Sequence, residues 1–214
     1  MSVDLSTIAY VVPNLPRFEV DRDQLWAWWD SVTIPIIRLR EDSRGHSKGF
    51  DGEFWDGVTI WQRPEYQNNI VWKVNYCPHE ELFGNITDKI INSLPWFNVL
   101  GITLWSHKTA IPPHKDGLPI DAFPSAPRIN LIDECNRRSF YLLEKKKFKL
   151  FRPDLQQGPN LFFFNNQNFD HGASEVTSGR KILIRVDGPL LDPAGLREFI
   201  NTEINAGAKY EGLK

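Results

Sequence analysis

His171-Gly172-Ala173-Ser174-Glu175-Val176-Thr177-Ser178-Gly179-Arg180-Lys181-Ile182-Leu183-Ile184-Arg185-Val186-Asp187 reads as a histidine, a Ser178-Gly179 turn and a strand. Side chains alternate across a strand, so Lys181, Leu183 and Arg185 share one face, and Ile182, Ile184 and Val186 the other. The apolar face is suited to packing under helices. The face with two cations then points into the interior of a sheet assembly. Buried cations need anions, and a dicarboxylate ligand would supply one. The competing reading puts Lys181 and Arg185 in solvent on an edge strand.

The same short-strand character recurs upstream, in Val99–Trp105, Arg128–Ile132, Ser139–Leu143, Lys149–Phe151 and Asn160–Phe164, with proline, glycine or asparagine clusters between them. Strands of this length and spacing indicate a sandwich or barrel. Earlier still, Asp21 to Val32 reads as a helix capped by Asp21, with Leu25, Trp28 and Trp29 on one face. Glu80 to Leu94 carries Leu82, Ile86, Ile90 and Leu94 at steps of four and stops at Pro95. Val58–Trp61 and Ile70–Val74 are strand candidates. The polar stretch Glu41–Gly57, with Phe50, Phe54 and Trp55, is a candidate lid. A last helix starts at Asp192, with Pro193 at its first position, and runs through Leu196, Phe199 and Ile200.

The expected class is therefore mainly β with flanking helices (α+β), built on a double-stranded β-helix (jelly-roll, cupin-like) core. A chain of 214 residues fits one domain over 1–214. Support would come from about 1–98, the core from about 99–188, and a terminal helix from about 192–206.

Composition narrows the function classes. The formal charge of −2, with acids and bases intermixed, is unlike the basic footprint of a nucleic-acid binder. Lys145-Lys146-Lys147 is read as a solvated edge or loop. Cys77 and Cys135 form neither a disulfide framework nor a CxxC pair, as expected of thiols in a reducing compartment. Neither a signal-peptide pattern nor a membrane-length apolar run is visible. The expectation is a cytoplasmic protein without nucleic-acid or membrane partners. Its oligomeric state is not legible.

His114-Lys115-Asp116 places an imidazole and a carboxylate two residues apart, on one side of an extended chain. His171 follows His114 by 57 residues, beyond several strand candidates. Two histidines and one carboxylate make the facial triad of non-haem iron(II) oxygenases, with three open coordination positions. Taken alone, His-x-Asp is equally a surface turn, which Pro112, Pro113 and Gly117 favour. His107 reads as a surface turn histidine, with substrate contact as the alternative. His46 and His79 read as surface residues, and Arg137 and Arg138 as a solvated hairpin turn.

The stretch His171 to Lys181 resembles the distal motif of the iron(II)/2-oxoglutarate-dependent oxygenases, especially the prolyl 4-hydroxylase and aspartyl/asparaginyl β-hydroxylase groups. Those groups show a histidine, a Val-x-x-Gly turn and an Arg or Lys ten residues on, as His171, Val176 to Gly179 and Lys181 do here. Ile102 through His114 is similar to the β-hydroxylase strand, turn and Pro-His pair, with Thr103 where that group has a serine. Arg128-Ile129-Asn130-Leu131 resembles its Arg-x-His-Leu strand, with Asn130 replacing the histidine. Asn160 to Asn166 resembles its aromatic strand. The resemblance spans roughly Val99 to Asp187 and does not extend to the first hundred residues.

The resemblance implies iron(II) on His114, Asp116 and His171. It implies 2-oxoglutarate on Lys181, with Arg185 assisting or holding substrate, and with Thr103, Arg128 and Asn130 facing the co-substrate. The implied reaction uses O2 to hydroxylate an amino-acid or peptidyl side chain, releasing succinate and CO2. Asp116 points to hydroxylation over halogenation. Two other readings stay open: a cupin-type metal enzyme that does not use 2-oxoglutarate, and a non-catalytic jelly-roll binding module.

Overall fold

The computed structural model describes residues 3–15, 17–32, 34–35, 37–38, 55–65, 72–73, 75–107, 109–114, 126–135, 139–144, 147–153, 160–166 and 168–212. Asp116, His46, Arg137, Arg138, Lys145 and Lys146 lie outside them, as does the candidate lid up to Phe54. In chain order the elements are β1 (Ile8–Val12), α1 (Arg22–Val32), β2 (Ile34–Pro35), β3 (Ile37–Arg38), β4 (Trp55–Gln62), β5 (Trp72–Lys73), β6 (Asn75–Tyr76) and α2 (Glu80–Ser93). There follow β7 (Gly101–His107), β8 (Ile111–His114), β9 (Ala126–Asp133), β10 (Phe140–Glu144), β11 (Lys149–Phe151), β12 (Asn160–Phe164), β13 (Asp170–Ala173), β14 (Lys181–Asp187), α3 (Pro193–Asn205) and β15 (Lys209–Gly212).

The large sheet runs β15-β1-β12-β9-β14-β7-β4-β2, with β6 pairing β4; the small sheet runs β11-β10-β13-β8. From β7 to β14 the pairing is nested. β7 pairs β14, β8 pairs β13, β9 pairs β12, and β10 pairs β11. That is the connectivity a jelly-roll core requires. The N-terminal hundred residues supply β1 and β4, which extend the large sheet at both sides of this core.

Alternation within the strands sorts the residues into two layers. Ile102, Leu104, Ile129, Leu131, Ile182, Ile184 and Val186 face outward and form one buried cluster with Leu25 and Trp29 of α1, Phe83, Ile86 and Ile90 of α2, and Leu196, Ile200 and Ile204 of α3. Tyr10, Phe162 and Phe164 of the large sheet face inward and pack with Leu142 and Phe151 of the small sheet, together with Phe169. The helices thus cover one face of the large sheet, and the small sheet covers the other. Helix ends follow the sequence signals. Gln24 N–H donates to the Asp21 carboxylate at 2.8 Å, and Gly195 N–H donates to Asp192 at 2.9 Å beneath Pro193. Among the described residues, no helix is long and apolar enough to cross a membrane.

His79 is not a plain surface residue. Its Nδ1 accepts from Leu82 N–H at 3.2 Å, capping α2, while its ring meets Trp28 and Phe83 edge-on. Imidazole serves here as cap and packing group together.

Candidate functional site

β13 lies between β10 and β8, and its register places His171 opposite His114. The two imidazole rings lie side by side, with centroids 4.2 Å apart. His171 is 8% exposed and packs its ring against Phe164 at 4.9 Å and Phe140 at 6.4 Å. His114 is less buried, and its Nδ1–H donates to the Pro112 carbonyl at 3.0 Å. That bond fixes the ring and places the acceptor lone pair on Nε2, the usual arrangement of a metal-ligating imidazole.

Gly172 permits Tyr141 and the Ile111 carbonyl to come close to β13. A Cβ on it would sit 2.5 Å from the Ile111 carbonyl and 2.6 Å from the Tyr141 hydroxyl. That hydroxyl crosses over Gly172 to donate to Ile111 O at 3.1 Å, tying β10 to β8 across β13. The glycine beside His171 is thus required by packing.

On the facing sheet, β14 carries Lys181 at its start. Lys181 is 4% exposed, donates to Ser139 Oγ at 3.0 Å, and lies 3.5 Å from Asp133 Oδ2. Ser139 directly precedes Phe140, whose ring lies 6.4 Å from that of His171. Burial lowers the Lys181 pKa, and Asp133 pulls it back up. Arg185 donates to Asp187 at 2.6 Å and stacks on Trp105 at 4.9 Å. The two inward cations therefore have carboxylates from the chain itself. The expectation that they need a ligand anion is corrected by Asp133 and Asp187.

Thr103 is buried on β7, level with Arg185, and meets Thr59 through a hydroxyl contact of 3.2 Å. Arg128 and Asn130 are buried on β9; Arg128 pairs with Arg185 across the strands and stacks on Phe164 at 5.7 Å. Thr103, Arg128, Asn130, Lys181 and Arg185 are thereby brought onto one sheet, opposite His114 and His171. Asp116 lies outside the described residues. Among the described residues no group of three His, Cys, Asp or Glu side chains is set to hold a metal.

Of two further residues beside Lys181, one escapes the sequence reading and the other is read there as a surface turn histidine with substrate contact as the alternative. Asp133 is one; its signal is the Leu131-Ile132 doublet, which interrupts the polar-apolar alternation of β9. His107 is the other. It ends strand β7, partly buried, and donates through Nε2 to the Ser174 carbonyl at 3.3 Å, so its reading as a surface turn histidine is corrected. Burial, then the Lys181 charge, push its pKa down to about 4.

No family model matches the chain, and no curated protein is similar to it in sequence. Among solved structures it is similar to a prolyl hydroxylase in complex with a hypoxia inducible factor oxygen degradation domain peptide fragment, from Trichoplax adhaerens. That match has 12% identity and a TM-score of 0.48, and covers 96% of this chain and 90% of that one.

Proposed function

We propose that the chain is an iron(II)- and 2-oxoglutarate-dependent dioxygenase that hydroxylates an amino-acid or peptidyl side chain. The observation that carries this reading is the pair of imidazoles, His114 and His171, adjacent on paired strands inside a β-sandwich. The residues fit a metal. One imidazole is oriented by a backbone carbonyl, the other is held by aromatic rings, and two nitrogen donors suit iron(II). Asp116, two residues after His114, would complete the facial set. When bound, iron(II) with 2-oxoglutarate and O2 supplies the oxidising power that converts a C–H bond to an alcohol, with succinate and CO2 as by-products.

The protein's own part is orientation and exclusion of water. Phe140, Phe162 and Phe164 form a dry wall behind His171. Lys181 offers an ammonium to the distal carboxylate of the co-substrate, with Ser139 Oγ beside it. Arg185, Arg128, Asn130 and Thr103 give the same sheet face further polar groups for co-substrate or substrate.

One observation favours a second reading, a metal enzyme without 2-oxoglutarate: Lys181 already has a carboxylate partner. Turnover separates the two. His114→Ala and His171→Ala should each abolish iron binding and iron-dependent succinate formation from 2-oxoglutarate, measured by metal analysis and product assay. Full turnover in either variant sinks the site. Iron binding without any 2-oxoglutarate consumption ends the first reading; iron binding without turnover of any kind favours the non-catalytic module.

A further inference from the structure

Strand β9 changes phase between Asn130 and Ile132. Asn130 pairs with Leu183, yet Ile132 pairs with Ile182 and Asp133 with Lys181, so Leu131 is the extra residue of a β-bulge. Regular alternation would send residue 133 to the helix side with Ile129 and Leu131. The bulge re-aims it inward instead. Its carboxylate is then fixed twice: Oδ1 accepts from Cys135 N–H at 3.1 Å, and Oδ2 faces the ammonium of Lys181. The Asp133 side chain is 3% exposed, so water does little to screen the pair.

Among the described residues that interact with Lys181, none but Asp133 adds a charge near pH 7. Burial and Lys181 hold His107 neutral near pH 7, and burial and Asp133 push the Cys135 thiol up to about 11. Ser139 is neutral. Among the described residues, the carboxylate that faces the Lys181 ammonium is that of Asp133. A ligand carboxylate that contacts Lys181 meets Asp133 as well.

We propose that Asp133 is a specificity-determining residue of the inner face: as the built-in counter-ion of Lys181, it penalises ligands that bring a carboxylate to that end and spares those with a neutral group there. The proposal rests on the reading of Lys181 as part of the ligand site. It assigns the chain a weaker grip on a dicarboxylate 2-oxo acid than an unpartnered lysine would give.

The test uses the full chain with manganese(II), which allows binding without turnover, and two probes. 2-Oxoglutarate carries the second carboxylate; 2-oxobutyrate has the same 2-oxo acid head without it. Calorimetric titration of the wild type and Asp133→Asn gives the ratio of the two affinities. Asparagine keeps the oxygen that accepts from Cys135 N–H and removes the charge. Asp133→Asn should tighten 2-oxoglutarate by about tenfold or more, from the loss of one close like charge in a dry site, and leave 2-oxobutyrate within about twofold. Should Asp133→Asn fail to fold, Asp133→Ser supplies the same comparison with a smaller acceptor. An unchanged ratio overturns the proposal, and so does failure of 2-oxoglutarate to bind both the wild type and the variant. An unchanged ratio with intact succinate formation removes the role of Asp133 and leaves the oxygenase reading standing. Tighter 2-oxoglutarate in the variant, with no turnover by any chain under iron(II), supports the Asp133 role and ends the oxygenase reading.

Discussion

The two faces of the large sheet are made from alternate residues of the same strands, yet they are built on opposite terms. On the outer face Ile102, Leu104, Ile129, Ile182 and Ile184 are fully buried under three helices. On the inner face, Thr103, Arg128, Asn130 and Lys181 are nearly as buried and are polar or charged. Apolar burial stabilises a fold at about 25 cal/mol per Å². A buried ion pair contributes little net stability, because desolvation offsets its attraction. The contrast teaches that the outer face accounts for folding and that the inner face needs another explanation. The proposed ligand site supplies one.

The largest expected effect breaks the inner face at its ion pair. Lys181→Met strands the Asp133 carboxylate in a dry interior and should cost about 3–5 kcal/mol in urea denaturation. The double variant Lys181→Met with Asp133→Leu should return to near wild-type stability while its response to 2-oxoglutarate is gone. A double variant as unstable as the single one would make the pair structural. On the outer face there is no such rescue. Ile184→Ala should cost about 2–5 kcal/mol through its cavity alone, with the metal still bound by the protein that remains folded.

A smaller effect sharpens the comparison through pH. The folded His107 pKa is depressed from 6.5 to about 4, so the unfolded chain binds a proton there that the folded chain refuses. Stability from this group is complete above about pH 6.5 and is lost as the pH falls toward about 4. The loss is at most about 3 kcal/mol, less where water reaches the ring. His107→Gln should flatten the stability profile of the wild type across that window. Profiles that stay parallel would show that the ring is not held neutral. Smallest is Asp192→Ala, which removes a helix cap and should cost about 1 kcal/mol in the same denaturation assay.

Much of this contrast was legible in the sequence. The alternation of Lys181 to Val186 correctly divides its side chains between the helix layer and the interior. The helices at Glu80 and Pro193 follow from spacing and caps. Strand β8 was hidden by Pro112 and Pro113, which a strand tolerates here because β8 is the edge of the small sheet. Strand β13, Asp170 to Ala173, has no β-branched residue and is held by its neighbours on both sides. β15 is short and takes its pairing from β1, which itself pairs β12. At the candidate site, the motif singles out His171 and Lys181, whose roles are proposals, but no local pattern tells where a bulge turns a side chain. Asp133 becomes visible only when the register of β9 against β14 is known.

The nested pairing also governs the order in which this chain can assemble. β1 takes its neighbours from β12 and β15, and β7 takes one of its own from β14. During synthesis the first strand must therefore wait for partners made more than 150 residues later. Contacts of such sequence separation slow folding, and unpaired strands exposed in the interval invite association. Until β14 is made, the outer apolar residues of β7 and β9 lack the strand that joins them. The segment that brings Lys181 to the interior is thus also the one that joins β7 to β9, so a nascent chain has no continuous inner face until β14 arrives.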